Sequence, residues 1–456
     1  MKILIYSYFP ILKEHQAGGA QLIMRELSIG LADCGIRIRV LCPYTENYNS
    51  ALLEHENIEV MPTLRERNGD ELNLTDYLHN LQQASIAIEG VDVIWSIDTA
   101  FPFKVSIPII FTSETLSYEN EIEQLFRLNW DLLIIPSKFS QKILKLIFGQ
   151  NYWKDKPRPI KYIPNGVNLN FFSKSNPKRL KDKLGLASSA KYLIFPHRPD
   201  PYKGFDYAFK IIEKLLEIDP RYKLLIPKGP LSKRSERDIE RNYYDNIKRK
   251  ASKIGESNSI IFHDWIDYRE LPEYYSLAEW CLTLSVLPEG FGLTPIQSIC
   301  CGTPVISTMA GGLRDKFPPE HGIRFVNLKN IDQIIYHISE KPPNSELESG
   351  RRYIEEHYNN EKIIQEYIKC FKTISKTNSL YDPNPKNKSI CISPWCVFID
   401  ENVIWHEFQM REIFLSKTEL RILKIIKNSK FSSQEFLIKN KKDIDNLLHE
   451  GILTYQ

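Results

Sequence analysis

The chain has 456 residues, which at about 150 residues per domain predicts roughly three domains. A hydrophobic fraction of 42% and a charged fraction of 26% are ordinary for a soluble globular protein. The net charge of +3 is too small to indicate nucleic acid as the main partner, although it permits peripheral contact with an anionic membrane. Eight cysteines without a CxxC pair argue against the usual zinc patterns and favour a reducing, cytoplasmic setting.

The N-terminal apolar run is short, contains Tyr and Ser, and lacks a small-residue cleavage site. We therefore predict a buried first strand at Lys2–Tyr8 and not a signal peptide. A helix pattern at 19–34 and strand-like runs follow, at Ile36–Cys42, Val91–Ile97, Pro108–Thr112 and Leu132–Pro136. The basic stretch Lys138–Gly149 predicts an amphipathic helix that either packs on its own sheet or touches a membrane surface. No apolar run approaches the roughly 20 residues that cross a bilayer.

The same alternation of strands and helices restarts after a polar stretch at 173–191. A helix is predicted near 204–217, and the strands are predicted at Tyr192–Pro196, Tyr222–Pro227, Ser259–His263, Trp280–Ser285 and Pro304–Ser307. Two successive α/β units predict two lobes with a cleft between them, where ligands bind beyond the carboxyl ends of the strands. Residues 351–374 then predict one long helix, and 375–390 a polar linker.

The most informative segment is Leu287–Ile306, where Gly290 and Gly292 bracket Phe291 just after a predicted strand. Glycine lets the backbone approach a ligand closely. Thr294 followed by proline is typical of a helix start, with Thr294 as the N-cap. The backbone N–H groups of such a turn form a natural phosphate seat.

This segment resembles the family 4 retaining glycosyltransferases, which have the GT-B fold and carry two Glu residues, with seven residues between them, around a GFGL-like turn. Glu289 occupies the first of these positions and Gln297 the second. The resemblance implies that Glu289 binds hydroxyls of the donor sugar and that position 297 faces the nucleotide ribose. It also implies donor contacts from the turn and the helix start, at Gly290, Phe291, Gly292, Leu293 and Thr294.

Gln297 departs from the family pattern, because an amide can donate as well as accept a hydrogen bond whereas a carboxylate only accepts. The alternative interpretation is a capping-box residue three positions after Thr294, and the two roles are compatible. A second match, FPHRPDPYKGF at Phe195–Phe205, places Arg198 and Lys203 where the family pairs cations with the donor diphosphate. Fixed cations there stabilise the charge of the leaving diphosphate. The alternative is a solvated basic loop.

The resemblance extends over roughly residues 1–374. Gly18 and Gly19 follow the first strand, where the family has a glycine loop against the donor phosphates. Strand ends near the nucleobase are implied at Gly229 and Trp265. The histidine that many members carry on the acceptor side is missing, and Ser113 or Glu114 stands in that region. Glu114 is interpreted either as a catalytic residue that binds or deprotonates the acceptor hydroxyl, or as a carboxylate at a helix start.

Residues 391–456 lie outside the resemblance. Strands are predicted at Cys396–Ile399 and Val403–Phe408, followed by helices that begin with capping boxes at Ser416/Glu419 and Ser432/Glu435. A third helix closed by Gly451 and a final strand at Ile452–Tyr455 complete a winged-helix-like module. It weakly resembles peptide-recognition modules of peptide-modifying enzymes, which bind a leader segment as an added strand. The alternatives are a structural or dimerising appendage and, third, DNA binding.

The sequence therefore predicts an α/β protein of GT-B fold, with two Rossmann-like domains facing a cleft and a small C-terminal α+β winged-helix-like domain. The predicted domains are an acceptor domain at 1–170 completed by helix 351–374, a donor domain at 171–350, and the module at 391–456. We expect transfer of a hexose from a nucleoside diphosphate sugar, with UDP favoured over GDP, without a cofactor or metal. The acceptor is open among glycan, small molecule, lipid-linked and peptide compounds. The alternatives are a non-catalytic GT-B scaffold or a regulator acting through the module.

Overall fold

The computed structural model describes residues 1–13, 18–43, 51–65, 74–114, 125, 130–149, 159–228, 238–255, 258–315, 317–318, 321–376, 390–393, 396–406, 411–428 and 434–455. The first domain is built on a parallel sheet with the strand order β3-β2-β1-β4-β5-β6-β7. The strands are β1 (Lys2–Tyr6), β2 (Arg37–Pro43), β3 (Ile58–Leu64), β4 (Val93–Ile97), β5 (Ile109–Thr112), β6 (Leu132–Ile135) and β7 (Ile160–Tyr162). The helices are α1 (Gly19–Asp33), α2 (Leu74–Ala87) and α3 (Lys138–Gly149).

The inner strands of this sheet, such as β1, β4, β5 and β6, are apolar runs because both faces of the sheet are covered there. Ile3, Leu4 and Ile5 of β1 are all fully buried, although their side chains alternate between the two faces. The predicted strands are found at or near their expected positions, whereas β3, β7 and α2 had no predicted counterpart.

The second domain repeats the plan, with a parallel sheet ordered β10-β9-β8-β11-β12-β13. Its strands are β8 (Lys191–Ile194), β9 (Tyr222–Pro227), β10 (Ile260–His263), β11 (Trp280–Thr283), β12 (Val305–Ser307) and β13 (Ile323–Phe325). Its helices are α4 (Lys178–Lys183), α5 (Phe205–Ile218), α6 (Asp238–Ala251), α7 (Leu271–Ser276), α8 (Thr294–Cys300), α9 (Ile331–Ser339) and α10 (Asn344–His357). In both sheets the first strand of the domain lies in the interior and the strand order reverses there, which agrees with the two predicted Rossmann-like domains.

The single helix predicted at 351–374 is wrong, since the structure has α10 up to His357 and a separate helix α11 (Asn360–Ile374). Asn359 interrupts the pattern because its side chain accepts a hydrogen bond from the Glu361 N–H at 2.9 Å and caps the new helix. Helix α11 alone crosses back to the first domain, where the Tyr367 ring lies 5.5 Å from that of Trp95.

Helix α3 lies on the first sheet through Leu144, which is 1% exposed. Ile143 and Leu146 of the same helix are 38% and 62% exposed, so the helix packs on its own sheet and keeps an apolar strip outside. Within the described ranges, no helix is both long enough and apolar enough to cross a membrane.

The C-terminal module contains more strands than predicted. It has the antiparallel sheet β15-β16-β17 and the antiparallel pair β14-β18. The elements are β14 (Ile390–Ile392), β15 (Cys396–Asp400), β16 (Val403–His406), β17 (Arg411–Phe414), α12 (Lys417–Asn428), α13 (Gln434–Lys439), α14 (Lys441–His449) and β18 (Leu453–Tyr455). The first predicted capping box is confirmed, because Glu419 N–H donates to Ser416 Oγ and Ser416 N–H to Glu419 Oε2. The second capping box, at Ser432, falls outside the described residues.

Candidate functional site

Lys203 lies in the loop that follows β8, at the end of a short 3-10 turn. The Asp200 carboxylate accepts a hydrogen bond from the Tyr202 N–H at 2.9 Å and so caps a short 3-10 turn that ends at Lys203. Gly204 follows with a φ of 85°, and a Cβ there would overlap the Leu284 carbonyl oxygen. A residue with a side chain does not fit at 204, so the turn lies directly on the end of β11.

Glu289 is presented by the loop that follows β11, on the neighbouring side of the same pocket. Its backbone pairs with Gly311, and the Gly312 N–H donates to the Glu289 carbonyl oxygen at 2.7 Å. These backbone contacts join the loop to the chain after β12 and fix the position of the Glu289 backbone.

The structure brings the two predicted residues into direct contact, with Lys203 Nζ 2.5 Å from Glu289 Oε1. The Ser285 hydroxyl donates a further short hydrogen bond to the same oxygen. Burial raises the pKa of Glu289, but Lys203 and Ser285 outweigh burial and bring the pKa below its ordinary value. The pair is thus an ammonium and an ionised carboxylate in a half-buried site.

His197 belongs to this site but was not singled out from the sequence. Its ring lies 4.9 Å from that of Phe195 and hydrogen-bonds the backbone of Leu282. Burial, together with the nearby Lys203 charge, lowers the pKa of His197 to about 3, so the ring is neutral. Among the described residues, its Nε2 has no hydrogen-bond partner. Only its position beside Arg198, in a matched segment, could have indicated it.

Three other residues predicted to bind the donor lie in the same loop as Lys203 or in the first domain. Arg198 is half exposed and lies 3.6 Å from Asp200 in the same loop. Gly18 and Gly19 begin α1 in the first domain, and a Cβ on Gly19 would lie 3.8 Å from Leu293. The N-terminal end of α1 therefore lies close to Leu293, which follows Gly292 in the turn of the second domain.

The two residues predicted near the nucleobase are Trp265 and Gly229. Trp265 follows β10 and is partly buried. Gly229 lies outside the described residues. The predicted contact between the nucleobase and these strand ends therefore stays a prediction.

Gln297 and Thr294 do not form the predicted capping box. Helix α8 begins at Thr294 itself, and neither residue provides a side-chain cap. Instead the Tyr275 hydroxyl donates to Gln297 Oε1 at 2.9 Å, and Thr294 hydrogen-bonds the same tyrosine. Burial holds the pKa of Tyr275 far above its ordinary value, so it stays a donor. The capping interpretation fails because a buried phenol lies between the two side chains.

A polar cluster lies at the carboxyl ends of β4 and β5 in the first domain, and it contains Glu114. The Glu114 N–H donates to Asp98 Oδ1 at 2.7 Å, and Asn165 Nδ2 donates to Glu114 Oε2 at 2.5 Å. Asp98 has a φ of 47°, which is uncommon for a residue other than glycine. Asn165 is 3% exposed, and its Oδ1 has no hydrogen-bond partner in the described part of the chain. Residues 115–120 are outside the described ranges, so Glu114 as a helix-start carboxylate is untested.

The second domain matches a known protein family. Residues 176–349 match the model of the family described as glycosyl transferases group 1. The D-inositol 3-phosphate glycosyltransferase of Acidothermus cellulolyticus is 29% identical over 165 residues, which is 35% of each chain. The Frankia alni enzyme of the same name is 29% identical over 161 residues, covering 35% of this chain and 38% of the relative. The match thus spans about a third of the length of these curated relatives.

The fold of the larger part of the chain is shared with solved structures. Sucrose-phosphate synthase from Thermosynechococcus elongatus aligns with a TM-score of 0.64 at 20% identity, over 82% of this chain and 98% of that one. Anabaena HepE, solved in complex with UDP-glucose, aligns with a TM-score of 0.62 at 17% identity, over 82% and 100%. The chain therefore has the GT-B fold, and the family match to its second domain supports a glycosyltransferase family of that fold.

Proposed function

We propose that this chain is a retaining glycosyltransferase, which moves a sugar from a nucleoside diphosphate donor bound by the second domain to an acceptor bound by the first. The observation that carries the proposal is the Lys203–Glu289 contact at 2.5 Å, at the carboxyl ends of β8 and β11. This contact lies in the domain that matches the glycosyl transferases group 1 family. The start of α1 in the first domain approaches Leu293, four residues after Glu289.

The chemistry needs positive charge beside the leaving diphosphate. As the bond between the anomeric carbon and the phosphate oxygen breaks, negative charge grows on the diphosphate. Lys203 and Arg198 supply fixed cations, and the N–H groups at Gly19 and the glycine turn supply backbone donors. The acceptor oxygen forms the new bond to the anomeric carbon as the bond to the phosphate oxygen breaks, and the acceptor proton passes to the leaving diphosphate oxygen. We propose that these groups act without a divalent metal.

Donor binding must also rearrange the ion pair. In the free protein Lys203 and Glu289 neutralise each other, with Ser285 fixing the carboxylate. A bound sugar offers hydroxyl donors to Glu289, while the diphosphate offers oxygens to Lys203. The ion pair thereby keeps the carboxylate and the ammonium in position until the donor binds. We propose a UDP-linked hexose as the donor. The HepE complexes with UDP and with UDP-glucose on the same fold support this choice.

We propose that the acceptor is held beside the cluster of Asp98, Glu114 and Asn165, and that the C-terminal module presents it. Strand β17 pairs with β16 on one side, and Phe414 on it is 70% exposed. An open edge strand can pair with an extended peptide. We therefore favour a peptide acceptor.

The test of the donor proposal is a screen of sugar nucleotides by calorimetry and by release of nucleoside diphosphate. UDP and one UDP-hexose should bind, and slow hydrolysis should persist in EDTA. If no sugar nucleotide or nucleoside diphosphate binds, the chain acts as a scaffold and the proposal is wrong. Binding without hydrolysis or transfer under any condition would also favour the scaffold.

The test of the module is a chain truncated after residue 380, compared with the full chain. Hydrolysis of the donor should survive, while transfer to the acceptor should fall sharply. A circular-dichroism melt checks that the truncated chain folds. Equal transfer by both chains would leave the module as a structural appendage.

A further inference from the structure

Helix α3 of the first domain begins without an acidic residue of its own. Its sequence, KFSQKILKLIFG, contains three lysines and no Asp or Glu. The first backbone N–H groups of a helix lack partners inside the helix and carry partial positive charge, so an acid near them is stabilising. Ser137 provides one cap, because its Oγ accepts from the Ser140 N–H at 3.1 Å.

The missing carboxylate comes from the other domain. Asp315 Oδ2 accepts a hydrogen bond from the Phe139 N–H at 2.5 Å, across 176 residues of sequence. Arg314, the preceding residue, lies with its guanidinium 5.1 Å from the centre of the Phe139 ring. The Met309 carbonyl oxygen holds that guanidinium by accepting from Arg314 Nε at 3.0 Å. Two adjacent residues in one short segment of the second domain therefore contact the first turn of α3, Asp315 through a hydrogen bond and Arg314 through a cation–π contact.

This segment is also tied to the candidate donor site. Asp315 ends the 3-10 turn Gly312–Asp315, and the Gly312 N–H donates to the Glu289 carbonyl oxygen at 2.7 Å. A Cβ on Gly312 would overlap the Gly290 carbonyl oxygen and lie 3.0 Å from the Ser137 Cβ. Gly312 is thus packed between the glycine turn and the helix of the opposite domain. Two residues, Leu313 and Arg314, separate the Gly312 backbone that holds the Glu289 loop from the Asp315 carboxylate that caps α3.

We infer that Asp315 is a positioning residue, a latch that holds the first domain against the loop carrying Glu289 and so keeps the cleft closed. Its role in turnover rests on the proposed function, whereas its role in closure does not. When the latch is lost, the cleft should open and the two halves of the site should lose their mutual alignment. A displacement of about 1 Å between reacting groups can cost roughly 100-fold in rate.

The experiment compares Asp315→Ala, Asp315→Asn and Asp315→Glu with the exposed control Asp332→Ala. The first readout is the radius of gyration from small-angle X-ray scattering, with and without UDP. Asp315→Ala should be more expanded than the wild type. Asp315→Asn, which keeps an acceptor oxygen, should lie between them, and Asp332→Ala should match the wild type. Equal scattering by Asp315→Ala and wild type would overturn the latch, whatever the protein binds.

The second readout is UDP-glucose hydrolysis, resolved into kcat and KM. Asp315→Ala should lower kcat by about 10-fold or more with KM within about 2-fold, because the donor loop itself is intact. Asp315→Glu should recover part of kcat. Unchanged kcat in Asp315→Ala would contradict the positioning role. Failure of the wild type to bind UDP would instead count against the proposed function, and the scattering comparison would still decide the latch.

Discussion

The two sides of the cleft hold their carboxylates in different ways. Glu289 in the second domain has a cationic partner, Lys203, which together with the Ser285 hydroxyl outweighs burial and holds the pKa of Glu289 below its ordinary value. Glu114 in the first domain accepts from a neutral amide, Asn165, whose own carbonyl oxygen has no hydrogen-bond partner among the described residues. An ion pair suits a ligand that carries fixed charge, such as a diphosphate. An amide–carboxylate pair suits a neutral ligand with hydroxyl groups.

The largest expected effect is at Glu289. Glu289→Gln keeps the shape of the side chain but removes the charge that Lys203 and Ser285 now bind. Turnover of the donor should fall by about 100-fold to 1,000-fold, the usual consequence of removing one stabilising polar group from an active site. The rate of UDP release measures this turnover, and Glu217→Gln, on the exposed face of α5, is the control. Normal turnover in Glu289→Gln would place the donor site elsewhere.

Glu114 should respond differently, and this difference tests the comparison between the two sides. Glu114→Gln should leave UDP affinity and donor hydrolysis within about 2-fold, since the cluster belongs to the other domain. Transfer to an acceptor found by screening should fall by about 10-fold or more. Donor hydrolysis and transfer to the acceptor, measured on the same preparation of Glu114→Gln, test this prediction. Loss of UDP binding in Glu114→Gln would mean that the two sides are not functionally separate.

A smaller effect is expected at Gln297, where Tyr275 fixes the amide by donating to its oxygen. Gln297→Glu preserves that acceptor oxygen, so UDP affinity should be kept or rise by a few-fold. Tyr275→Phe should instead weaken UDP binding slightly, because the amide is free to rotate. Calorimetry with UDP measures both. A large loss of affinity in Gln297→Glu would show that the amide N–H₂ group itself contacts the ligand.

The smallest effect concerns stability and pH at His197. Its pKa falls from 6.5 to about 3 in the folded protein, so below pH 6.5 the unfolded chain binds a proton that the folded chain does not. Stability therefore drops as the pH falls, by about 1 kcal/mol near pH 5.5 for this one group. His197→Gln should show a smaller decrease in Tm between pH 7.5 and 5.5 than the wild type. An equal decrease in both proteins would mean that His197 is protonated in the folded state.

The contact between Lys203 and Glu289 in the candidate site could be anticipated because both residues lie in short local segments that the sequence singles out. Arg198, Lys203 and Glu289 each fall in a segment with its own strand, turn and helix signals. The first-domain cluster could not be predicted, since Asp98 and Asn165 meet Glu114 from 16 and 51 residues away. The Asp315 contact joins residues 176 apart, and spacing along the chain carries no signal for it.

The fold shows a similar division. Buried strands such as β8 and β9 were predicted within two residues because a strand covered on both faces is a continuous apolar run. Strand β3 is only partly buried and shows no such run, so it was missed. The break at Asn359 was hidden inside a continuous helical pattern, and only the cap formed with Glu361 makes it visible.

The most direct test of the account is UDP binding to the wild type and to Lys203→Ala, measured by titration calorimetry on the full chain. The ammonium at this position is proposed to hold the diphosphate, so the wild type should bind and Lys203→Ala should bind at least about 10-fold more weakly. Exchange of the exposed Lys214 for alanine serves as the matched control and should leave UDP affinity unchanged. Equal affinity for UDP in Lys203→Ala and the wild type, or no binding by the wild type, would contradict the account.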